Sequence, residues 1–192
     1  MLPMNQNPRS VSELEITGLV GSLRVASSCR IVMDTMVDLL DDQARLRVPD
    51  IRSVPPFDQD LEESAIPPVV SDLKDAVRSS DAVLIVTPEY NWGIPGHLKN
   101  VLDWVSRPFP EGPFHGRAIG VVSAAAHPGT GDHVRARLSE TMGVLGRAYP
   151  ETLSVPSVES QSLDGRIVDP ATRHELQEWL NGFLAWARAS ED

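Results

Sequence analysis

The chain has 192 residues, 41% apolar and 23% charged, the balance of an ordinary globular domain. A formal net charge of −10 argues against nucleic acid as a partner, and any anionic ligand would need a local cationic or dipolar site. The single cysteine, Cys29, excludes an internal disulfide and fits a reducing cytoplasm, and no run approaches the roughly 18 apolar residues of a membrane helix.

Residues 1–12 mix Pro, Asn, Gln and Ser without an apolar core region. They read as a disordered tail rather than a signal peptide, ahead of one domain over 13–192. Leu14 to Val20 is a β-rich run that ends at Gly21. From Ser27 to Leu40 a helical stripe appears at Val32, Met36, Leu39 and Leu40. Ala44, Leu46 and Val48 alternate with Arg45 and Arg47, the pattern of a half-exposed edge strand. Pro49, Pro55, Pro56 and the acidic stretch from Asp58 to Glu63 read as a loop. Val70, Leu73 and Val77 predict a helix over 69–80.

Ala82 to Thr87 is apolar or β-branched without alternation, which suits a central parallel strand covered on both faces. Pro88 ends it, Pro95 suits a first helical turn, and Leu98, Val101, Leu102 and Val105 mark a helix over 95–106. Residues 107–113 are a Pro-rich connection, and Ala118 to Ser123 is a second unalternating strand. Val134, Leu138, Met142 and Leu145 predict the next helix, and Thr152 to Val155 a weaker strand. Asp164 and Gly165 mark a turn, after which Asp169 and Pro170 open a final helix as N-cap and first residue. Five strands alternating with five helices predict a three-layer α/β sandwich with a five-stranded parallel sheet. The alternating second strand belongs at an edge, which gives the order 2-1-3-4-5.

In such a sheet, ligands bind at the carboxyl ends of the strands where the order reverses. The first of those ends opens into Gly21-Ser-Leu-Arg-Val-Ala-Ser-Ser-Cys-Arg30, which fits neither a nucleoside-triphosphate loop nor a dinucleotide fingerprint. Ser22 and Ser27 offer hydroxyls, Arg24 a charged fork, and the helix starting near Ser27 its unpaired N–H groups. Together they suit a phosphomonoester held without a metal. After the third strand, Pro88-Glu-Tyr-Asn-Trp-Gly93 offers backbone polar groups at Glu89 to Asn91 and two rings, Tyr90 and Trp92. FMN, with a phosphate at one end and a flat ring at the other, is a ligand that would bridge the two loops. In the small-residue loop after the fourth strand, Ser123 and Ala125 are candidate neighbours of the ring.

Gly21-Ser-Leu-Arg-x-x-Ser27, Thr87-Pro-Glu-Tyr-Asn91, Ile94-Pro-Gly-x-Leu-Lys-Asn100 and Asp103-Trp-x-Ser-Arg-Pro108, in this order, resemble the NADPH-dependent FMN reductase family. That family is flavodoxin-like and includes chromate- and quinone-reducing members. The resemblance extends from residue 14 to about 150. It implies a bound FMN reduced by NADPH or NADH and reoxidised by a small-molecule acceptor, in a homodimer or homotetramer. Ser22, Arg24 and Ser27 would hold the phosphate, and Pro88 to Asn91 the isoalloxazine. Cys29 stands where the family often has Asn; a thiol is a poorer donor than an amide, so the backbone N–H of Cys29 would have to serve.

No residue is assigned as a proton-transfer catalyst, because hydride transfer to a flavin needs proximity and stacking rather than a protein base. His97, His115, His127, His133 and His174 match no strong metal-ligand spacing. The alternatives to an FMN-dependent NAD(P)H oxidoreductase are a flavodoxin-like electron carrier and an interaction protein that has lost its flavin. Quinone, flavin, chromate and azo dye all suit a shallow site over a ring.

Overall fold

A parallel sheet divides the computed structural model, which describes residues 13–125 and 129–189. The tail expected over 1–12 and His127 lie outside them. The strands are β1 (Leu14–Val20), β2 (Ala44–Arg47), β3 (Ala82–Thr87), β4 (Ala118–Ala125), β5 (Arg147–Ala148) and β6 (Leu153–Pro156). Their order is β2-β1-β3-β4-β5, with β6 also paired to β4 and every pairing parallel. The predicted edge strand is at the edge. Every residue of β3 and β4 is buried, as their unalternating sequences require.

The helices are α1 (Ser28–Leu39), α2 (Gln59–Ser64), α3 (Pro68–Ser79), α4 (Gly96–Val105), α5 (Asp132–Leu145) and α6 (Pro170–Arg188). Apolar residues of α1 and α6 fill one core against the sheet, and those of α3, α4 and α5 fill the other. The α6 helix begins as the sequence predicts. Asp169 accepts hydrogen bonds from the Thr172 N–H (2.8 Å) and hydroxyl (2.9 Å), which hold its carboxyl below the usual range.

Two features depart from the sequence expectations, and a third, at the expected turn of Asp164 and Gly165, adds to them. The acidic stretch read as a loop contains α2, because Asp58 caps the N–H groups of Asp60 (2.9 Å) and Leu61 (3.4 Å). Glu62 then reaches Lys74 on α3 and Arg107 beyond α4, both at 3.3 Å, fixing α2 to the body. The fifth strand is divided into β5 and β6, with Pro150 in the gap, where proline cannot donate to a ladder. The turn at Asp164 and Gly165 closes a small antiparallel hairpin, β7 (Ser162–Leu163) and β8 (Arg166–Ile167), tied to α1 where the Ile167 N–H donates to the Thr35 hydroxyl.

The α4 end of the conspicuous 81–107 stretch is largely scaffold. The Asn100 side-chain oxygen accepts from the Phe57 N–H (2.6 Å), while its amide donates to the Pro55 carbonyl (2.8 Å). The Trp104 indole donates to the same carbonyl at 2.8 Å, and Lys99 pairs with Asp103 one turn on. Asn100→Ala removes the partner of the Phe57 N–H and leaves the Pro55 carbonyl with the Trp104 indole alone, a loss of about 2 kcal/mol. At this chain length the thermal midpoint should fall by roughly 4–8 °C, read by circular dichroism.

Candidate flavin site

The carboxyl ends of β1, β3 and β4 converge on one cavity of about 490 Å³. Their register brings this about, with Val20 opposite Val86 and Thr87 opposite Ser123. Gly21 follows directly, its N–H donating to the Val86 carbonyl at 2.8 Å. A Cβ at position 21 would run into the Thr87 side chain and Cα, so the glycine is required by close approach. That sharpens the sequence reading, in which Gly21 marks the end of the first strand.

At the first wall, Ser27 is the N-cap of α1, its hydroxyl oxygen accepting from the Arg30 N–H at 3.1 Å. Its own O–H stays available to donate, and the first-turn N–H groups of Ser28 and Cys29 precede the first bonded turn. Arg24 is the one cation among the described residues lining the cavity, and its guanidinium lies 3.5 Å from the Ala26 carbonyl. Arg52 steadies the loop from outside by donating to the Leu23 carbonyl at 3.2 Å. A helix N-terminus, two hydroxyls and a guanidinium are groups that could hold an anion on an otherwise acidic chain.

The thiol of Cys29 turns the other way, into the core of α1 and α6. Burial pushes it up to about 12, against smaller lowering effects from its own N–H and Arg24. It therefore offers the cavity a backbone N–H and no reactive sulfur.

At the second wall, Tyr90 and Gly93 exchange N–H···O bonds of 3.2 and 3.0 Å, closing a tight turn. Asn91 and Trp92 occupy its tip at φ 50° and 57°. Asn tolerates that region, whereas a bulky Trp is strained there by about 1 kcal/mol. Tyr90 is 50% exposed and Trp92 74%, so neither is an ordinary packing aromatic. The Glu89 side chain leaves this wall and accepts from the Val134 N–H of α5 at 2.9 Å.

All candidate residues except Ser123 border the cavity. Ser123 is fully buried, its hydroxyl held by Arg135 at 2.5 Å, and Ala124 and Ala125 line the wall in its place. Sequence reasoning missed Ser28, Ala124, Thr130, Gly131 and Glu159. The first four adjoin recognised loops and were within reach of position alone. Glu159 arrives from beyond β6 and belongs to no motif. Among the described residues, no group of three His, Cys, Asp or Glu side chains is gathered as a metal site would need.

The buried Cys29 yields a test. Native protein at pH 8 should react with iodoacetamide at least about tenfold more slowly than denatured protein, because burial both shields the thiol and pushes its pKa up to about 12. Because the folded value is raised, the neutral thiol's contribution to stability is intact below pH 9 and is lost as the pH climbs toward 12. Cys29→Ala should flatten that alkaline decline in urea titrations.

The chain matches the model of the NADPH-dependent FMN reductase family over residues 14–160. A quinone reductase of Escherichia coli is 37% identical over 179 residues, covering 89% of this chain and 94% of the relative. An NAD(P)H-dependent FMN reductase of Pseudomonas aeruginosa is 29% identical over 179 residues, covering 92% and 96%. The solved structure of the flavoenzyme NAD(P)H:(acceptor) oxidoreductase FerB from Paracoccus denitrificans superposes with a TM-score of 0.80 at 29% identity, over 91% of this chain and 97% of that one. The family model covers most of the chain and the anion loop and aromatic loop meet in one cavity: this protein belongs to the NADPH-dependent FMN reductase family.

Proposed function

We propose that this FMN-dependent NAD(P)H oxidoreductase delivers its electrons to a quinone or a similar small, flat acceptor. The observation that carries the proposal is the shape of the cavity, anion-binding at one end and bordered by exposed aromatic rings at the other. Its volume of about 490 Å³ lies within the roughly 300–1,000 Å³ usual for cofactor sites. Support for a quinone also comes from relatives named quinone reductases in Pseudomonas putida and E. coli.

The residues present fit FMN. Ser22, Arg24, Ser27 and the N–H groups of Ser28 and Cys29 would hold the phosphate. Pro88 to Trp92, Ala124, Ala125 and Gly131 would border the ring system. When bound, the cofactor supplies reversible two-electron chemistry, accepting hydride from a nicotinamide and reducing an acceptor. The chain's own work is to position and shield. Arg24 would offset the phosphate charge, and the exposed Tyr90 and Trp92 would offer surfaces to a second flat molecule. The Glu89 carboxylate is committed to α5 and is not poised as an acid or base. A homodimer or homotetramer in the cytoplasm completes the proposal; the exposed Trp92 and the lone, buried thiol support it.

The test is anaerobic addition of NADPH to FMN-loaded protein, followed by benzoquinone. The visible flavin band should bleach and then return; failure to bleach refutes the oxidoreductase reading, and failure to return refutes the quinone. Arg24→Ala should weaken FMN binding about tenfold or more while leaving riboflavin binding unchanged, as measured by quenching of flavin fluorescence. Trp92→Gly relaxes the strained turn, so thermal stability should hold or rise, while KM for quinone increases roughly two- to tenfold through loss of ring contact.

A further inference from the structure

The α5 helix cannot cap itself. Its N-cap position is Gly131, at φ 100°, which has no side chain to accept from the first-turn N–H groups. Nor is there room for one, because a Cβ at 131 would press on the Ser123 hydroxyl and Cβ. Asp132, the first helical residue, is turned to Arg135 instead. The acceptor comes from another loop: Glu89, 45 residues earlier, takes the Val134 N–H at 2.9 Å, with its second oxygen 3.6 Å from His133 Nδ1. An anionic carboxylate at that end of a helix is favoured both by the free N–H and by the helix dipole.

The partner side of this contact is braced by hydrogen bonds. Arg135, largely buried, bonds Ser123 (2.5 Å), Thr152 (3.2 Å) and Asp132 (2.5 Å), joining the end of β4, the approach to β6 and the start of α5. The β3 side is the turn that presents Tyr90, Asn91 and Trp92. The two strands are last paired at Thr87 and Ser123, and beyond that point the chains separate to border the cavity. Glu89 supplies a tie across the gap, two residues past the ladder.

We propose that Glu89 is a positioning residue for the ring end of the flavin site: its carboxylate clasps the aromatic loop to the N-terminus of α5 and so sets the spacing between that loop and the β4–α5 side of the cavity. This rests on the FMN reading of the cavity, but the clasp itself is a property of the protein alone. Glu89 touches no reacting atom in this role. It acts through the backbone of Tyr90 and Asn91, which follow it directly in the loop.

Three variants, Glu89→Ala, Glu89→Gln and Arg24→Ala, are compared with the parent by amide hydrogen exchange without flavin, and by FMN and riboflavin affinity and visible circular dichroism with it. In Glu89→Ala, exchange at the Val134 amide should speed about tenfold. FMN and riboflavin should weaken by a common factor of about tenfold, with altered flavin dichroism. Arg24→Ala should weaken FMN alone. Glu89→Gln keeps a carbonyl oxygen of the right reach and should recover most of the loss. Unchanged Val134 exchange in Glu89→Ala overturns the clasp; faster exchange with unaltered flavin affinity and dichroism overturns its positioning role. A Glu89→Gln variant as impaired as Glu89→Ala overturns the hydrogen bond as the agent. If the parent protein binds no flavin, the cofactor reading fails, while the exchange result still decides whether the clasp exists.

Discussion

The site depends on how closely β1 and β3 end beside one another. At Gly21 there is no space for a Cβ, because Thr87 occupies it, and this contact brings the α1 N-terminus up against the aromatic loop. One step along the sheet, Thr87 is paired with Ser123, so the β4 loop enters the same cavity. The Ser22–Ser27 loop and the aromatic loop are thereby held at a separation that follows from strand spacing.

The electrostatics follow from the same geometry. A chain of net charge −10 is a poor general host for an anion, yet this one concentrates a helix N-terminus, Arg24 and two serine hydroxyls at one point. Many of its other charges are spent internally. Lys74, Glu62 and Arg107 form one chain of ion pairs, while Arg135 binds Asp132, Ser123 and Thr152. Glu89 has the same character: a carboxylate at the margin of the cavity is aimed at the N–H groups of the next helix. The cavity's polarity is set as much by what is turned away as by what faces in.

The stretch from 81 to 107 shows why a motif and a site are different objects. Its first half lines the cavity, whereas its second half, Asn100, Trp104 and the Lys99–Asp103 pair, fastens the Pro55–Phe57 segment and the helix surface. Both halves carry the family resemblance equally well. Sequence similarity registers any position where substitution is costly, and an unsatisfied backbone N–H behind the site is as costly as a lost ligand contact.

The sequence by itself determined the layer architecture, the strand order, the helix starts at Ser27 and Asp169, and the two loops that meet at the switch point. Each of these is written in local terms: period, β-branching, a capping side chain, a proline that cannot pair. Only the tertiary structure decided that Ser123 is buried beneath Arg135, that Cys29 turns its thiol into the core, that Asp58 starts a helix, and that Glu89 caps α5 from another loop. These depend on contacts between residues distant in the chain, or on which way one side chain turns once its neighbours are packed. A carboxylate's partner 45 residues away leaves no periodic trace, because hydrogen bonding is specified by position in space and the chain's order constrains that position only through the completed fold.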